Sequence, residues 1–276
     1  MSDARASQAQ TLNPPQPGQR ADAILTRQEG AVATVVISNI ARHNAMTPAM
    51  WGALAETLDR LDADPAVRVI VLAGDGERAF VSGADIGAFG AKKPEGPPMP
   101  TADAPYLLPL RCTKPVIASI RGFCMGGGLG LAASCDVRLC ADDAIFRMPA
   151  ARLGIGYSTA GIERLMQVIG TANTLDIFLS AERFGAAEAQ RMGFVQRVVP
   201  AAELAAVTAR YAQGVALNAP LSLATAKGTV RELLKDPARR DFTAVDALRA
   251  ACSASEDFRE GRQAFMEKRD PVFKGY

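Results

Sequence analysis

The sequence predicts an α/β protein whose last quarter is helical. Short apolar runs typical of buried strands, such as Val67 to Ala73 and Pro115 to Ile120, alternate with segments that have apolar residues at helical spacing. This alternation favours a sheet whose strands are joined by crossovers. After Ala201 helical segments dominate, and their apolar faces carry many small residues. We expect those helices to pack on something else, such as a neighbouring subunit.

The N-terminal segment differs in composition from the rest of the chain. Residues 1–21 are polar and proline-rich and lack the apolar centre of a signal peptide, which predicts a disordered arm. Ile24 to Thr26 and Val32 to Ser38 then have the composition of strands, with Glu29-Gly30 as the turn between them. We therefore expect the folded part to begin at about residue 22.

A helix is predicted after these strands. Thr47 is a candidate N-cap, and Pro48 suits the first helical turn. The helix is expected to end near Asp64. Four apolar residues share one face at helical spacing: Met50, Leu54, Leu58 and Leu61.

The next segment predicts a strand, a turn and a loop. The strand in AFVSGADIGAFG is expected to end at Gly83, and the backbone to turn at Ala84. Residues 91–105 are rich in proline and mixed in charge, which predicts a mobile loop of the kind that often covers active sites. A short helix is predicted at Leu107 to Arg111.

The most distinctive stretch is RGFCMGGGLGLAASCD, residues 121–136. Gly126 to Gly128 follow a buried strand and stand where a helix should begin. Glycines let backbone N–H groups approach a ligand, and a helix N-terminus adds unpaired donors and partial positive charge. The stretch therefore has two possible roles. It is either a site for an anion, or for an oxygen that becomes anionic during a reaction, or it is a tight turn that only packs a helix on a strand.

The remaining elements continue the same pattern. Strands are predicted at Val137 to Ala141, Ile145 to Met148 and Phe194 to Val199, and helices from about Thr159 and at Ala186 to Met192. Further helices are predicted at about 201–217, 220–235, 240–254 and 256–268. A soft boundary near Asn218 would separate a core of residues 22–218 from a helical region of residues 219–276.

Composition excludes several classes of function. The 276 residues carry a net charge of +2, which gives no strong field for nucleic acid or a membrane surface, and no apolar run is long enough to span a membrane. Five dispersed cysteines without a CxxC pair fit a reducing cytoplasm. His43 is the single histidine, so the sequence offers almost no basis for a histidine-based metal site or a Ser-His relay. We predict no metal and no redox cofactor.

Four ordered motifs carry a family resemblance. AFVSGADI, GFCMGGGLGLAASCD, FRMPAARLGI and EDFREGRQAFMEKRDPVF resemble the enoyl-CoA hydratase/isomerase (crotonase) family, and the resemblance covers nearly everything after residue 22. It implies a spiral of ββα units and a C-terminal helical region used in trimerisation, with trimers that often pair into hexamers. It also implies an acyl-CoA thioester as substrate, whose oxygen two backbone N–H groups hold. By resemblance these belong to Ala84 and Gly127.

The resemblance further implies a coenzyme A site. The CoA portion would lie along Arg42, His43 and Ala45 and along the turn formed by Ala84, Asp85 and Ile86, with Gly126 beside the thioester. Phe265 and Lys268 would approach the adenine and phosphate end, in the same or a neighbouring subunit. The alternative for His43 and Lys268 is an ordinary surface position.

Two positions depart from the family pattern. Hydratases of this family use two glutamates to handle water and a proton, and the matching residues here are Gly130 and Ala150. Neither can transfer a proton, and a general acid or base contributes roughly a hundred- to ten-thousand-fold. We therefore expect little ordinary hydratase activity, although enolate chemistry remains possible.

The second half of the chain is similar to methylmalonyl-CoA decarboxylase of the same superfamily. That resemblance places Tyr157 beside the carboxylate that is lost, where Tyr157 could orient this group and Ser158 or Thr159 could assist by hydrogen bonding. The match is incomplete, because that enzyme has a histidine in place of Ala84 and an acidic residue in place of Gly130. The alternative for Tyr157 is a half-buried aromatic residue with a satisfied hydroxyl.

Three functions therefore stay open at the level of sequence. The first is an acyl-CoA lyase that stabilises an enolate, by decarboxylation of a small carboxyacyl-CoA, with Ala84, Gly127 and Tyr157 as catalytic residues. The second is an enoyl-CoA hydratase that uses another acid or base. The third is an acyl-CoA-binding protein without turnover.

Overall fold

The computed structural model describes residues 23–84 and 104–276. The strands are β1 (Ala23–Glu29), β2 (Val32–Ser38), β3 (Val69–Gly74), β4 (Ala79–Val81), β5 (Val116–Ile120), β6 (Phe123–Met125), β7 (Val137–Ala141), β8 (Ile145–Arg147), β9 (Arg183–Gly185) and β10 (Arg197–Val199). The helices are α1 (Pro48–Ala63), α2 (Gly127–Ser134), α3 (Ala150–Leu153), α4 (Thr159–Ser180), α5 (Ala186–Arg191), α6 (Leu204–Ala216), α7 (Pro220–Leu233), α8 (Thr243–Ala254) and α9 (Glu256–Glu267). The arm predicted at 1–21 and most of the loop predicted at 91–105 lie outside the described residues.

The strands form two sheets, and from β3 to β8 successive strands belong alternately to one sheet and to the other. The first has the order β1-β2-β3-β5-β7-β10, and the second the order β4-β6-β8-β9. Successive strands therefore enter the two sheets in turn, β3 and β5 in the first and β4 and β6 in the second. All pairs are parallel except β1 with β2 and β8 with β9. The predicted α/β class is confirmed.

The apolar spacing of α1 places its predicted face in the core. Leu54 is fully buried, and Met50, Leu58 and Leu61 are no more than 2% exposed. Thr47 caps the helix, since its hydroxyl accepts a hydrogen bond from the N–H of Met50. Burying a side chain of this size contributes roughly 1.5–3 kcal/mol, so this face fixes α1 against the sheets.

Two predicted elements have different bounds in the structure, and strand β6 was not predicted. Strand β10 contains only Arg197–Val199, because Phe194 and Val195 are apolar for another reason: they are buried behind α5, with both N–H groups donating to the carbonyl of Ala189. The short helix predicted at Leu107 to Arg111 is a 3-10 helix that already begins at Pro105. Strand β6 was missed, because its three residues fall inside the glycine-rich stretch.

The C-terminal helices are tied to the core by a largely buried ion pair. Lys227 Nζ on α7 lies 2.7 Å from Asp136 Oδ2 and 2.8 Å from the carbonyl oxygen of Lys114. Asp136 also accepts a hydrogen bond from the N–H of Val116 at the start of β5. The Lys227 side chain is 9% exposed. The pair thus joins α7 to the end of the α2 segment.

Replacement of Lys227 by methionine should lower the free energy of unfolding by about 2 kcal/mol, because it leaves the Asp136 carboxylate without its cation. Urea unfolding followed by circular dichroism measures this. The matched control is Lys235→Met, which breaks a more exposed pair with Glu232 and should cost no more than about 0.5 kcal/mol. Equal losses in the two variants would contradict a special role for Lys227.

Within the described residues, no helix has the length and apolar character needed to cross a membrane. The same residues contain no group of three or more histidine, cysteine or acidic side chains placed to hold a metal ion.

Candidate active site

The candidate site lies where two parallel strands of the second sheet end. Strand β4 pairs in parallel with β6, so the chain leaves both strands at the same edge of the sheet. After β4 it reaches Gly83 and Ala84, and after β6 it reaches Gly126 and Gly127. The two turns are in contact, since a β-carbon on Gly126 would lie 4.0 Å from the Cα of Gly83. Parallel pairing therefore brings together two segments that are far apart in the sequence.

Glycine at position 126 is required by the backbone. Gly126 has φ 52° and ψ −114°, a conformation that is unfavourable for residues with a β-carbon. Its N–H donates to the carbonyl of Arg147 at the end of β8, over 3.0 Å. The turn is thereby fixed to the sheet. Helix α2 begins at the next residue, and its first N–H groups have no acceptor within the helix.

Gly127 and the backbone nitrogen of Ala84 lie close together. A β-carbon on Gly127 would lie 3.8 Å from the Ala84 nitrogen and 3.6 Å from Trp51 Cζ2. Within residues 23–84 and 104–276, no acceptor bonds to the N–H of Ala84 or of Gly127. Two neighbouring amides without acceptors in the described part of the chain, one of them at a helix N-terminus, are chemically suited to bind an oxygen that carries negative charge.

The segment predicted to bind coenzyme A lies against the Ala84 turn. Ser82 donates from its N–H to the carbonyl of His43 and from its hydroxyl to that of Arg42, both over 3.1 Å. Met46 forms a parallel bridge with Ala84, its N–H donating to the carbonyl of Gly83 over 2.9 Å. Arg42, His43 and buried Ala45 are thus placed beside one half of the amide pair.

Asn44, which sequence reasoning missed, fixes this segment. It is 1% exposed and adopts a left-handed conformation with φ 57°, which asparagine tolerates better than most residues. Its side-chain amide donates to the carbonyl oxygens of Ala79 and Asp75, over 2.8 and 3.0 Å. In the sequence, an asparagine within ARHNAM is only weak evidence for a buried structural role, because a surface position accounts for it equally well.

Tyr157 occupies the space that a side chain at position 130 would need. A β-carbon on Gly130 would lie 2.6 Å from the Tyr157 hydroxyl oxygen and 2.7 Å from Tyr106 Cδ2, closer than real β-carbons come. Gly161 leaves room for the same two rings, since its β-carbon would lie 2.4 Å from the Tyr106 hydroxyl oxygen. With Tyr157 and Tyr106 in these positions, residue 130 therefore has no room for a side chain.

The Tyr157 hydroxyl is buried without a partner among the described residues. Its ring stacks on Tyr106 with the centroids 5.1 Å apart and meets Phe178 edge-on at 5.3 Å. Burial, together with the neighbouring Tyr106, raises the pKa of the Tyr157 hydroxyl above its usual range. The group is therefore neutral at physiological pH, and it can donate one hydrogen bond into the site.

The remaining predicted residues that the structure describes lie in two different places. Ser158 is the N-cap of α4, accepting from the N–H of Gly161 over 3.1 Å, and its hydroxyl also meets that of Tyr106 at 2.7 Å. Phe265, 86% exposed, and Lys268 lie at the end of α9, in the helical region rather than at the glycine turns. Asp85 and Ile86 lie outside the described residues.

Ala150, the second position without a glutamate, lies directly behind the glycine turn. It is 6% exposed and begins α3, and a β-carbon on Gly126 would lie 3.8 Å from Cδ of the preceding Pro149. Its methyl group carries no ionisable proton. Neither of the two positions therefore presents an acid or base. Among the described residues, the site contains the backbone amides of Ala84 and Gly127 and the unpaired Tyr157 hydroxyl.

The fold is that of a class of proteins that process acyl-CoA. The enoyl-CoA hydratase/isomerase family matches residues 27–276. The chain belongs to this family.

Among curated relatives, carnitinyl-CoA dehydratase of Escherichia coli K12 is 37% identical over 217 residues, which is 77% of this chain and 83% of the relative. The enzyme of that name from Salmonella heidelberg is 35% identical over 237 residues, 84% of this chain and 91% of its own length. Both relatives thus match most of their length.

Solved structures support the same family. A Magnetospirillum magneticum protein described as an enoyl-CoA hydratase/carnithine racemase superposes with a TM-score of 0.83 at 32% identity, over 93% of this chain and 98% of its own. An enoyl-CoA hydratase subunit I from Geobacillus kaustophilus gives 0.82 at 34% identity, over 92% and 98%. The predicted family and the crotonase fold are confirmed. The similarity to methylmalonyl-CoA decarboxylase stays a prediction.

Proposed function

We propose that this protein is an acyl-CoA lyase that stabilises a thioester enolate and decarboxylates a small carboxyacyl-CoA. The observation that supports this most directly is the buried, neutral Tyr157 hydroxyl in the space of the missing Gly130 side chain. A substrate carboxylate would be repelled by a glutamate at either position, whereas a hydroxyl can donate a hydrogen bond to it. The site therefore suits an anionic acyl group better than water addition.

The proposed reaction needs no base. The thioester oxygen binds the N–H groups of Ala84 and Gly127, and Tyr157 holds the carboxylate out of the thioester plane. The bond between the α-carbon and the carboxylate carbon breaks, carbon dioxide leaves, and the electron pair moves into the thioester as an enolate. The two amides stabilise the negative charge that develops on the oxygen. Water then protonates the α-carbon and yields the shorter acyl-CoA.

We assign the thioester end of coenzyme A to the face on which these amides lie, and its adenine and phosphate end to Phe265 and Lys268 in the helical region of the same or a neighbouring subunit. The proposed contacts are Arg42, His43, Ala45, Ala84, Asp85, Ile86, Gly126, Gly127, Ser158, Phe265 and Lys268. Ser158 would contact the substrate directly, and its hydroxyl would also hold Tyr106 and the start of α4 in place. Coenzyme A thioester is the substrate, and no separate cofactor is proposed.

A turnover screen by mass spectrometry tests the proposal, with malonyl-CoA, methylmalonyl-CoA and crotonyl-CoA as substrates. We expect carbon dioxide loss from a carboxyacyl-CoA. Tyr157→Phe should lower kcat about tenfold to a hundredfold with little change in acyl-CoA binding, since a hydrogen bond to a charged group contributes about 1.5–3 kcal/mol. A loss of binding with unchanged kcat would assign Tyr157 to packing instead.

The second candidate is hydration or dehydration of an acyl-CoA, which the curated relatives named carnitinyl-CoA dehydratase favour. It requires a proton carrier other than residues 130 and 150. Water addition to crotonyl-CoA in the same screen would support it and contradict the lyase. Tight acyl-CoA binding without any product would instead indicate a binding protein.

We also propose a cytoplasmic homotrimer or a pair of trimers. Exposed apolar side chains on α9 support this, among them Phe265 and Met266, which are 86% and 83% exposed. They line a groove of about 750 Å³ between α7 and α9. Light scattering of the intact protein measures the assembly, and a monomeric mass at micromolar concentration would contradict it.

A further inference from the structure

The C-terminal end of α2 is closed by two arginine side chains. Arg138 on β7 donates to the carbonyl oxygens of Ala132 and Cys135, over 3.2 and 2.7 Å. Arg164 on α4 donates from Nε to the carbonyl oxygen of Ala133, over 2.8 Å. The last carbonyls of a helix lack intrahelical partners and carry partial negative charge, so guanidinium groups satisfy both needs.

These bonds matter because α2 and α4 both start at the candidate site. Gly127 is the first residue of α2 and supplies one of the two amides. Tyr157 and its capping neighbour Ser158 directly precede α4. Arg164 lies in the second turn of α4 and bonds the far end of α2. It therefore links, on the side away from the substrate, the two helices whose N-termini carry the amide and the hydroxyl.

We propose that Arg164 is a positioning residue that fixes the Tyr157 hydroxyl relative to the Gly127 amide. The contact between Tyr157 and Gly130 is tight, so a small slide of α4 along α2 would move the hydroxyl into the space over Gly130 or away from it. Displacement of a group by about 1 Å can lower a rate about a hundredfold. The inference rests on the proposed role of this site in acyl-CoA turnover.

Arg164 is better placed for this role than Arg138. Arg138 is 4% exposed and also donates to the carbonyl oxygen of Phe194, so its bonds hold the core around β7 and α5. Arg164 is half-buried, and its hydrogen bonds to described residues go to the end of α2 and to Gln167 on its own helix. Removal of Arg164 should therefore loosen the contact between α2 and α4 and leave the rest of the fold intact.

The test compares Arg164→Met, Arg164→Lys and the matched control Arg68→Met. Arg68 is also half-buried and donates to two carbonyl oxygens, those of Ala216 and Phe273, but it lies outside the candidate site. We expect Arg164→Met to lower kcat about tenfold with nearly unchanged KM, and lysine to restore much of the loss. Arg68→Met should lose stability and keep kcat. Equal kcat in both methionine variants would overturn the proposal.

A double-mutant cycle tests the coupling to the hydroxyl. If Arg164 acts by positioning Tyr157, then Arg164→Met should have a much smaller effect in a Tyr157→Phe background. Strictly multiplicative losses would contradict the proposal. The rates are taken on whichever acyl-CoA reaction the screen reveals, so failure of decarboxylation does not remove this test.

A spectroscopic reading works even without turnover. The chain contains four tyrosines, so 3-fluorotyrosine labelling gives a small set of fluorine resonances, and Tyr157→Phe identifies that of residue 157. Arg164→Met should shift or broaden this resonance, whereas Arg68→Met should leave it unchanged. An unmoved Tyr157 resonance in folded Arg164→Met protein would overturn the positioning role, whatever reaction the enzyme catalyses.

Discussion

Replacement of Gly127 by proline should lower acyl-CoA turnover by about a hundred- to a thousand-fold, the typical cost of one lost oxyanion donor. Proline has no backbone N–H, so the substitution removes the amide donor of the residue that lies against Ala84. Gly127 is the first residue of α2, where the fixed φ of proline fits a helix and its missing N–H breaks no helical bond. The fold should therefore survive, and the rate of carbon dioxide or product release measures the effect.

The control for this variant is Gly127→Ala, which keeps the N–H. Its β-carbon would lie 3.6 Å from Trp51 Cζ2 and 3.8 Å from the Ala84 nitrogen, which are ordinary contact distances. Alanine should therefore lose much less activity than proline. Similar rates for the proline variant and the natural protein would falsify the assignment of this amide to the reaction.

Introduction of glutamate at Gly130 should destabilise the protein by at least about 3 kcal/mol. Its β-carbon would already lie 2.6 Å from the Tyr157 hydroxyl oxygen, and its carboxylate would enter a buried, apolar space. Thermal or urea unfolding measures the loss. The matched control is Gly214→Glu on α6, where a β-carbon meets nothing within 4 Å, and this variant should be neutral or slightly more stable.

A second substitution shows whether Tyr157 causes the clash. Combined with Tyr157→Ala, which clears the space, Gly130→Glu should cost much less than it does alone, so the two losses should not add. Additive losses would mean that the Gly130 space is closed by Tyr106 instead. A hydratase-like carboxylate and the present tyrosine thus exclude one another, and simple reversion at position 130 should not create a hydratase.

The fold could be read from the sequence where the pattern is local. The α1 face with Met50, Leu54, Leu58 and Leu61 and the run leading into β3 are periodic over enough residues to identify their elements. Strand β6 has three residues, too few for any period. The division of the strands between two sheets depends on long-range parallel pairing, which leaves no mark in the local sequence.

The candidate site was predictable where the family motif specifies the backbone. The GAD and GGG motifs identified Ala84 and Gly127 as candidate oxyanion donors, and the structure places these two residues close together. The missing glutamates gave Gly130 and Ala150 as altered positions. Tyr106, Gly161 and Arg164 were not foreseen, because their importance comes from contacts between α2, α4 and the segment before β5. A glycine that makes room for a distant ring resembles any other helical glycine in the sequence.

Parallel pairing of β4 with β6 also bears on the order of events in folding. The two amides come from segments separated by a long stretch of chain, and closing such a loop costs entropy before the contacts that reward it form. Helices and the β1–β2 hairpin can form from local contacts much earlier. Ligand-binding competence should therefore be acquired late in refolding, after most of the helical signal has returned, and a chain trapped with β6 unpaired would look largely folded yet bind no thioester.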